Sequence, residues 1–140
     1  MAVYLDMFNN EIISWSLNTK DDISLILESL RGVLPLKQSD KQMLIHSDQG
    51  AQYTSFSYVK LLRDNGILQS MSRAGTPRDN AVIESFFGWF KDMLQNDFNI
   101  SQVSDVRGTL HNAVHHFNHT RPAFALDYKT PTQFKNEQGF

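Results

Sequence analysis

Met43-Leu44-Ile45-His46-Ser47-Asp48-Gln49-Gly50 is the stretch on which the fold turns. Met43 to Ile45 reads as a short buried strand, and it runs straight into an acid and a glycine turn. Ligand sites in open α/β sheets collect at the C-terminal ends of strands, which is where Asp48 falls. Taken alone, Asp48 followed by Gly50 is better read as a simple turn former. Downstream, Ser55 caps a predicted helix carrying Phe56, Val59, Leu61 and Leu62, and Asn65-Gly66 closes it in a C-cap pattern. Ile67 to Met71 is a second short strand.

Working outward, Ala2-Val3-Tyr4-Leu5 is apolar and extended in character. Phe8-Asn9-Asn10-Glu11 reads as a turn, and Ile12 to Leu17 as a strand, so residues 1–17 form a hairpin. Thr19 or Asp21 is placed to cap a helix whose stripe is Ile23, Leu25, Ile26, Leu27 and Leu30, ended by Pro35. After Met71, Arg73 to Arg78 is a loop by composition. Asp79 or Asn80 then caps a helix from about Ala81 to Leu94, and Val103 to His119 reads as another, stopped by Thr120-Arg121-Pro122. This alternation of strands and helices is α/β. One domain over 1–140 is expected, with an acid-bearing segment at 42–94 and a C-terminal helix and tail at 103–140.

The bulk numbers set bounds. Apolar residues make up 41% of 140, with ten Phe, two Trp and four Tyr, enough for a core. Cysteine is absent, which excludes disulfides and thiolate metal sites and fits a cytoplasmic setting. No apolar run approaches the roughly 18 residues that span a membrane. The net charge of −2 argues mildly against tight nonspecific DNA binding by this chain alone. It leaves room for a basic track beside an acidic metal site, because a bound cation changes the local sign.

The helix at 81–94 carries the next signal. At about 100° per residue, Asn80, Glu84, Gly88, Lys91 and Gln95 fall on one polar arc, beside the apolar arc of Ile83, Phe86, Phe87, Phe90 and Leu94. Gly88 inside a helix costs about 1 kcal/mol relative to Ala. A nucleic-acid strand or backbone approaching closely would explain it; an ordinary amphipathic helix fits the same arcs. His111, His115 and His119 recur at helical spacing and could ligate zinc in pairs, though an exposed helix face explains them as well. Ser47 beside His46 suggests a nucleophile pair, but no third orienting group follows.

Read together, these segments resemble one family. His46-Ser47-Asp48-Gln49-Gly50-Ala51-Gln52-Tyr53 resembles the H-S-D-x-G-x-Q-Y block of insertion-sequence transposases of the IS3/IS150 type. Gly75-Thr76-Pro77-Arg78-Asp79-Asn80-Ala81, continued by Glu84-Ser85-Phe86-Phe87, is similar to their G-x-P-x-D-N-A-x-x-E-S-F-F block. Phe117-Asn118, Arg121-Pro122, Thr130-Pro131 and Phe134 resemble the closing signature, and Asp6 to Trp15 an early segment. The match runs through the whole chain in order.

The resemblance implies an RNase H-like mixed sheet flanked by helices, and a D-D-E acid site holding Mg²⁺ or Mn²⁺ for cutting and joining DNA. Asp48 corresponds to the second Asp and Glu84, with 35 residues between, to the Glu. Lys91, seven residues after Glu84, matches a basic residue that contacts DNA, and Arg73, Arg78 and Asn80 border the site as further DNA contacts. The first Asp belongs to a central strand expected before Met1, and nothing here matches it; Asp6 lies on the following strand. Two-metal phosphoryl transfer needs ions roughly 3.5–4 Å apart. Two carboxylates are therefore expected to hold metal weakly, and the piece to be impaired in catalysis. The expected partners are DNA and further copies in a homo-oligomer, with no membrane. Two alternatives stay open: an inert remnant serving association or DNA contact, and an RNase H-type nuclease acting by hydrolysis only.

Overall fold

The computed structural model describes residues 1–20, 22–73 and 76–140. Its elements are β1 (Ala2–Leu5), β2 (Ile12–Ser16), α1 (Ile23–Val33), β3 (Met43–Ser47), α2 (Ala51–Thr54), α3 (Phe56–Asp64), β4 (Ile67–Met71), α4 (Ala81–Asn96), α5 (Val106–His119) and α6 (Pro131–Glu137). The α/β alternation stands. A connection of six residues, 6–11, joins β1 to its neighbour β2; parallel strands need a dozen or more, so the pair is a hairpin. Asn10 takes the turn at φ 57°. β3 and β4 are parallel, with Met43 opposite Ile67 and Ser47 opposite Met71. The expected mixed sheet is thus realised as two separate two-stranded sheets, and no described strand joins them.

Two compact units divide the chain. The first comprises Met1–Tyr4 and Ser14–Glu84. Its core draws on Leu25, Ile26, Leu30 and Val33 of α1, Ile45 of β3, Tyr58 and Leu62 of α3, and Ile67 of β4. β2 is tied to α1 by its small hydroxyls: Ser14 Oγ donates to the Ser29 carbonyl at 2.7 Å, and Ser16 Oγ to that of Leu25 at 2.6 Å. The phenols of Tyr4 and Tyr58 meet at 3.0 Å, and burial pushes both pKa values up, so both remain neutral donors and acceptors.

The second unit comprises Leu5–Ile13 and Ser85–Phe140. Phe86 and Phe90 of α4 stack at 5.2 Å, and Phe117 of α5 meets them edge-on at 5.4 and 6.0 Å. Buried Asn118 clamps the start of β2 at two points, accepting from Ile12 N–H at 3.0 Å and donating to its carbonyl at 2.9 Å. Asn9 reaches the Pro131 carbonyl at 3.0 Å, and Phe8 packs on Phe134.

Several boundaries differ from the expected ones, for local reasons. The carboxylate of Asp22, not Thr19, caps α1, accepting from Ser24 and Leu25 N–H; the alternative Asp21 lies outside the described residues. α5 begins at Val106 because Asp105 caps it through Gly108 N–H. Asp79 and Asn80 form a 3-10 turn, Pro77–Asn80, that leads into α4, and their side chains turn back to Arg73 and Ser72. α2 and α6 were not expected; α6 opens with a capping box between Thr130 and Gln133 that the four-residue spacing encodes.

Candidate metal and DNA site

Asp48 stands immediately past the end of β3, exposed, where the strand reading placed it. Its Oδ1 accepts the Gly50 N–H at 2.8 Å, which fixes the carboxyl in an Asx turn. A Cβ at residue 50 would lie 2.9 Å from that oxygen, so glycine leaves the acid undisturbed. Glu84 is exposed in the first turn of α4, where the positive end of the helix dipole favours a carboxylate.

Buried Ser72 links the segments that carry the two acids. Its N–H donates to the Ser47 carbonyl at 2.9 Å, and its carbonyl accepts from Gln49 Nε2 at 3.0 Å. Its Oγ accepts from Asn80 Nδ2 at 3.2 Å. The residues either side of Asp48 and the turn leading to Glu84 therefore share one anchor at the end of β4. Its role as a hub is visible only once the segments meet.

Arg73 forks onto Asp79, with Nε and Nη2 each 3.1 Å from a carboxylate oxygen and its backbone N–H at 2.9 Å. These hydrogen bonds hold the Asp79 pKa down at about 2, and the charges of Arg73 and His46 add to the effect. Arg73 thus spends part of its donor set on an exposed bond within the chain, and the rest faces solvent. Asn80 is committed to Ser72. Arg78 and Lys91 are exposed, without an ion-pair partner among the described residues.

Other expectations meet their local geometry here. His46 Nδ1 pairs with Ser70 Oγ at 2.9 Å while Ser47 Oγ donates to the Asp48 carbonyl, so the two do not form a nucleophile pair. His115 and His119 stack at 4.5 Å, and His119 Nδ1 meets Thr132 Oγ at 3.1 Å. Among the described residues, no group of three or more His, Cys, Asp or Glu side chains is placed to hold a metal ion. That removes a three-ligand zinc site on α5. Asp48 and Glu84 are both exposed, and their hard carboxylates would suit Mg²⁺ or Mn²⁺ in kind.

Comparison with known proteins gives this arrangement its class. The integrase core domain family matches over residues 1–77, and a second family of the same description over residues 65–131. The chain belongs to the integrase core domain family. Over 137 residues it is 33% identical to the putative transposase InsK for insertion sequence element IS150 of Escherichia coli K12, covering 98% of this chain and 48% of that protein. It is 32% identical to the transposase for insertion sequence element IS904 of Lactococcus lactis, covering 96% and 54%. The chain thus spans about half the length of these relatives. The fold matches the HTLV-2 integrase catalytic core domain in complex with magnesium, at TM-score 0.72 and 19% identity over 94% of this chain and 81% of that one. It also matches a chain of the simian T-cell lymphotropic virus intasome, at TM-score 0.80 and 20% identity over 94% and 46%. These cores establish the RNase H-like fold. No helix among the described residues is long and apolar enough to cross a membrane.

Proposed function

We propose that this chain is the DNA-acting core of an insertion-sequence transposase, with Asp48 and Glu84 as its metal-binding acids. The observation that carries the reading is the shared anchor: Ser72 ties the Asp48 turn and the segment leading to Glu84 to one end of β4. Both acids are exposed and free of ion pairs among the described residues. A bound divalent cation would supply an activated nucleophile, water or a 3′-hydroxyl, and offset charge on the phosphoryl group. The chain's own part is to hold two carboxylates open to it. Exposed Arg78 and Lys91 supply cations for DNA phosphates, which position a duplex without reading its sequence. Homo-oligomers belong to the same reading, as the dimeric and trimeric forms of the HTLV-2 core exemplify.

Two acids without a third described ligand make a weak site, so the purified chain is expected to bind Mn²⁺ or Mg²⁺ only in the millimolar range, about 4 kcal/mol. Calorimetry checks this: micromolar binding that survives Asp48→Ala with Glu84→Ala places the metal elsewhere. In a strand-transfer assay the chain should cut or join DNA poorly, and Glu84→Gln should remove what remains. Efficient transfer would mean that another acid, Asp6 foremost, completes the site. A second reading is a DNA-contacting or oligomerising module without catalysis, to which the exposed cations Arg78 and Lys91 are equally suited. Residual Mn²⁺-dependent nicking that requires Glu84 decides against it.

A further inference from the structure

One face of α4 is built differently from the acid-bearing arc. Val82, Ser85, Gly88, Trp89 and Asp92 are all exposed, and Trp89 keeps 60% of its surface in solvent. Ser85, Gly88, Trp89 and Asp92 line an open, shallow groove of about 450 Å³. Gly88 forms its bare floor, since a Cβ built there meets nothing within 4 Å. Arg121 lies over the indole at 5.5 Å in a cation–π contact, which fixes the plane of the ring. Its Nη1 is enclosed without a hydrogen-bond partner, and no acid pairs with it among the described residues.

We propose that this groove takes an unpaired nucleobase of the DNA on which the core acts, stacked on Trp89, and that it prefers guanine. The inference rests on the DNA reading given above. An aromatic ring held flat beside a side-chain-free floor is a stacking platform, which every base can use through its π-face. Arg121 has no acid partner among the described residues, so its charge beside the ring favours a nearby phosphate of the stacked nucleotide. The preference comes from Asp92, one helical turn beyond Trp89. Its Oδ1 already accepts from Asn96 Nδ2 at 2.8 Å, but a carboxylate has about four acceptor positions, and the side chain is exposed with no ion pair among the described residues. Guanine presents adjacent N1–H and N2–H donors to such an acceptor. Thymine presents one donor flanked by two carbonyl oxygens, which the carboxylate repels. A negative side chain also disfavours a backbone phosphate lying directly over the groove, so the base and not the sugar-phosphate chain occupies it.

The test uses the full chain with Trp15→Phe, which leaves Trp89 as the only indole of the two, in metal-free buffer so that cleavage plays no part. Fluorescence titration compares a blunt duplex with the same duplex bearing a short 3′ guanine overhang or a thymine overhang. The expected result is quenching by the guanine overhang, with weaker binding of the thymine overhang and an unquenched signal for the blunt duplex. By anisotropy of labelled DNA, Trp89→Ala should lose about tenfold in affinity for the guanine overhang only, the scale of one stacked base, and Trp89→Phe should recover most of it. Asp92→Asn should equalise guanine and thymine overhangs. Equal binding of all three duplexes, unchanged in Trp89→Ala, overturns the base platform while the DNA reading stands. Failure to bind any DNA sinks both. A shift of Trp89→Ala toward smaller species in sedimentation, with overhang binding unchanged, reassigns the groove to an interface between copies and overturns the proposal.

Discussion

Asp79 shows how far a single residue's role can lie from its residue type. The sequence placed it as a helix cap; the structure gives both its oxygens to Arg73. Because those hydrogen bonds lower its pKa from 3.8 to about 2, the ionised form is the one the fold stabilises. The contribution is complete above the ordinary carboxyl value and is lost as pH falls from about 4 toward 2. Asp79→Asn should therefore flatten acid-induced unfolding in that window, followed by circular dichroism, and leave stability near neutral pH little more than slightly lowered. An unchanged acid profile would show that the fork does not persist in solution. Asp48 and Glu84 stand where the sequence put them, just past β3 and in the first turn of α4, while the metal role proposed for them comes from the family resemblance. Ser72 was not legible as a hub, since a serine acquires its three partners only when segments distant in sequence meet around it. Trp89 was not singled out: helical spacing leaves it off the apolar arc of Phe86, Phe87 and Phe90, and its groove with Ser85, Gly88 and Asp92 is seen only in the fold.

At the scale of elements, α4 and α5 test two different kinds of inference. Helical spacing located α4 and its buried arc, Phe86, Phe90 and Leu94, because the 3.6-residue period is local information. Gly88 within that helix has open space where a Cβ would stand. Gly88→Ala should accordingly stabilise the chain by up to about 1 kcal/mol in thermal or urea unfolding. A loss of stability would mean that the glycine serves a constraint inside the fold and not an approach from outside. α5 was located with its start three residues early, since Asp105 caps the helix and leaves Val103 outside it. What periodicity could not disclose is that Asn118, near the end of α5, satisfies both backbone groups of Ile12. Leaving those two buried groups unpaired costs about 1–3 kcal/mol each. Asn118→Ala should thus lose about 2–6 kcal/mol, and Asn118→Asp, which keeps the acceptor alone, should remain well below the parent. A loss under about 1 kcal/mol in urea unfolding would show that the clamp is not formed.

For the whole molecule, the order of strands was readable from the residues and the RNase H-like fold from the family resemblance, while pairing between distant strands leaves no periodic trace in the chain. β3 has β4 on one side only, and β1 has β2 alone, among the described residues. Two-stranded sheets are marginal in water by themselves. Parallel strands normally have both faces covered, yet Leu44 and Leu68, directly opposite in register, are 62% and 54% exposed. An open edge and an apolar patch on the same pair of strands invite association. Burying a leucine fully contributes about 1.5–3 kcal/mol, so one such pair does not offset the roughly 4–15 kcal/mol cost of bringing two chains together. A two-fold contact counts the pair twice and adds backbone hydrogen bonds along the free edges of two β3 strands, running antiparallel across the axis. The chain is therefore expected to be a dimer or larger at micromolar concentration in sedimentation velocity. Leu44→Lys, which sets a charge on the patch in each copy, should shift it toward smaller species without unfolding it, since the side chain already faces solvent. A parent chain that sediments as a cooperatively folding monomer at these concentrations would refute association through β3, and would show that the two small sheets are sustained by their helices alone.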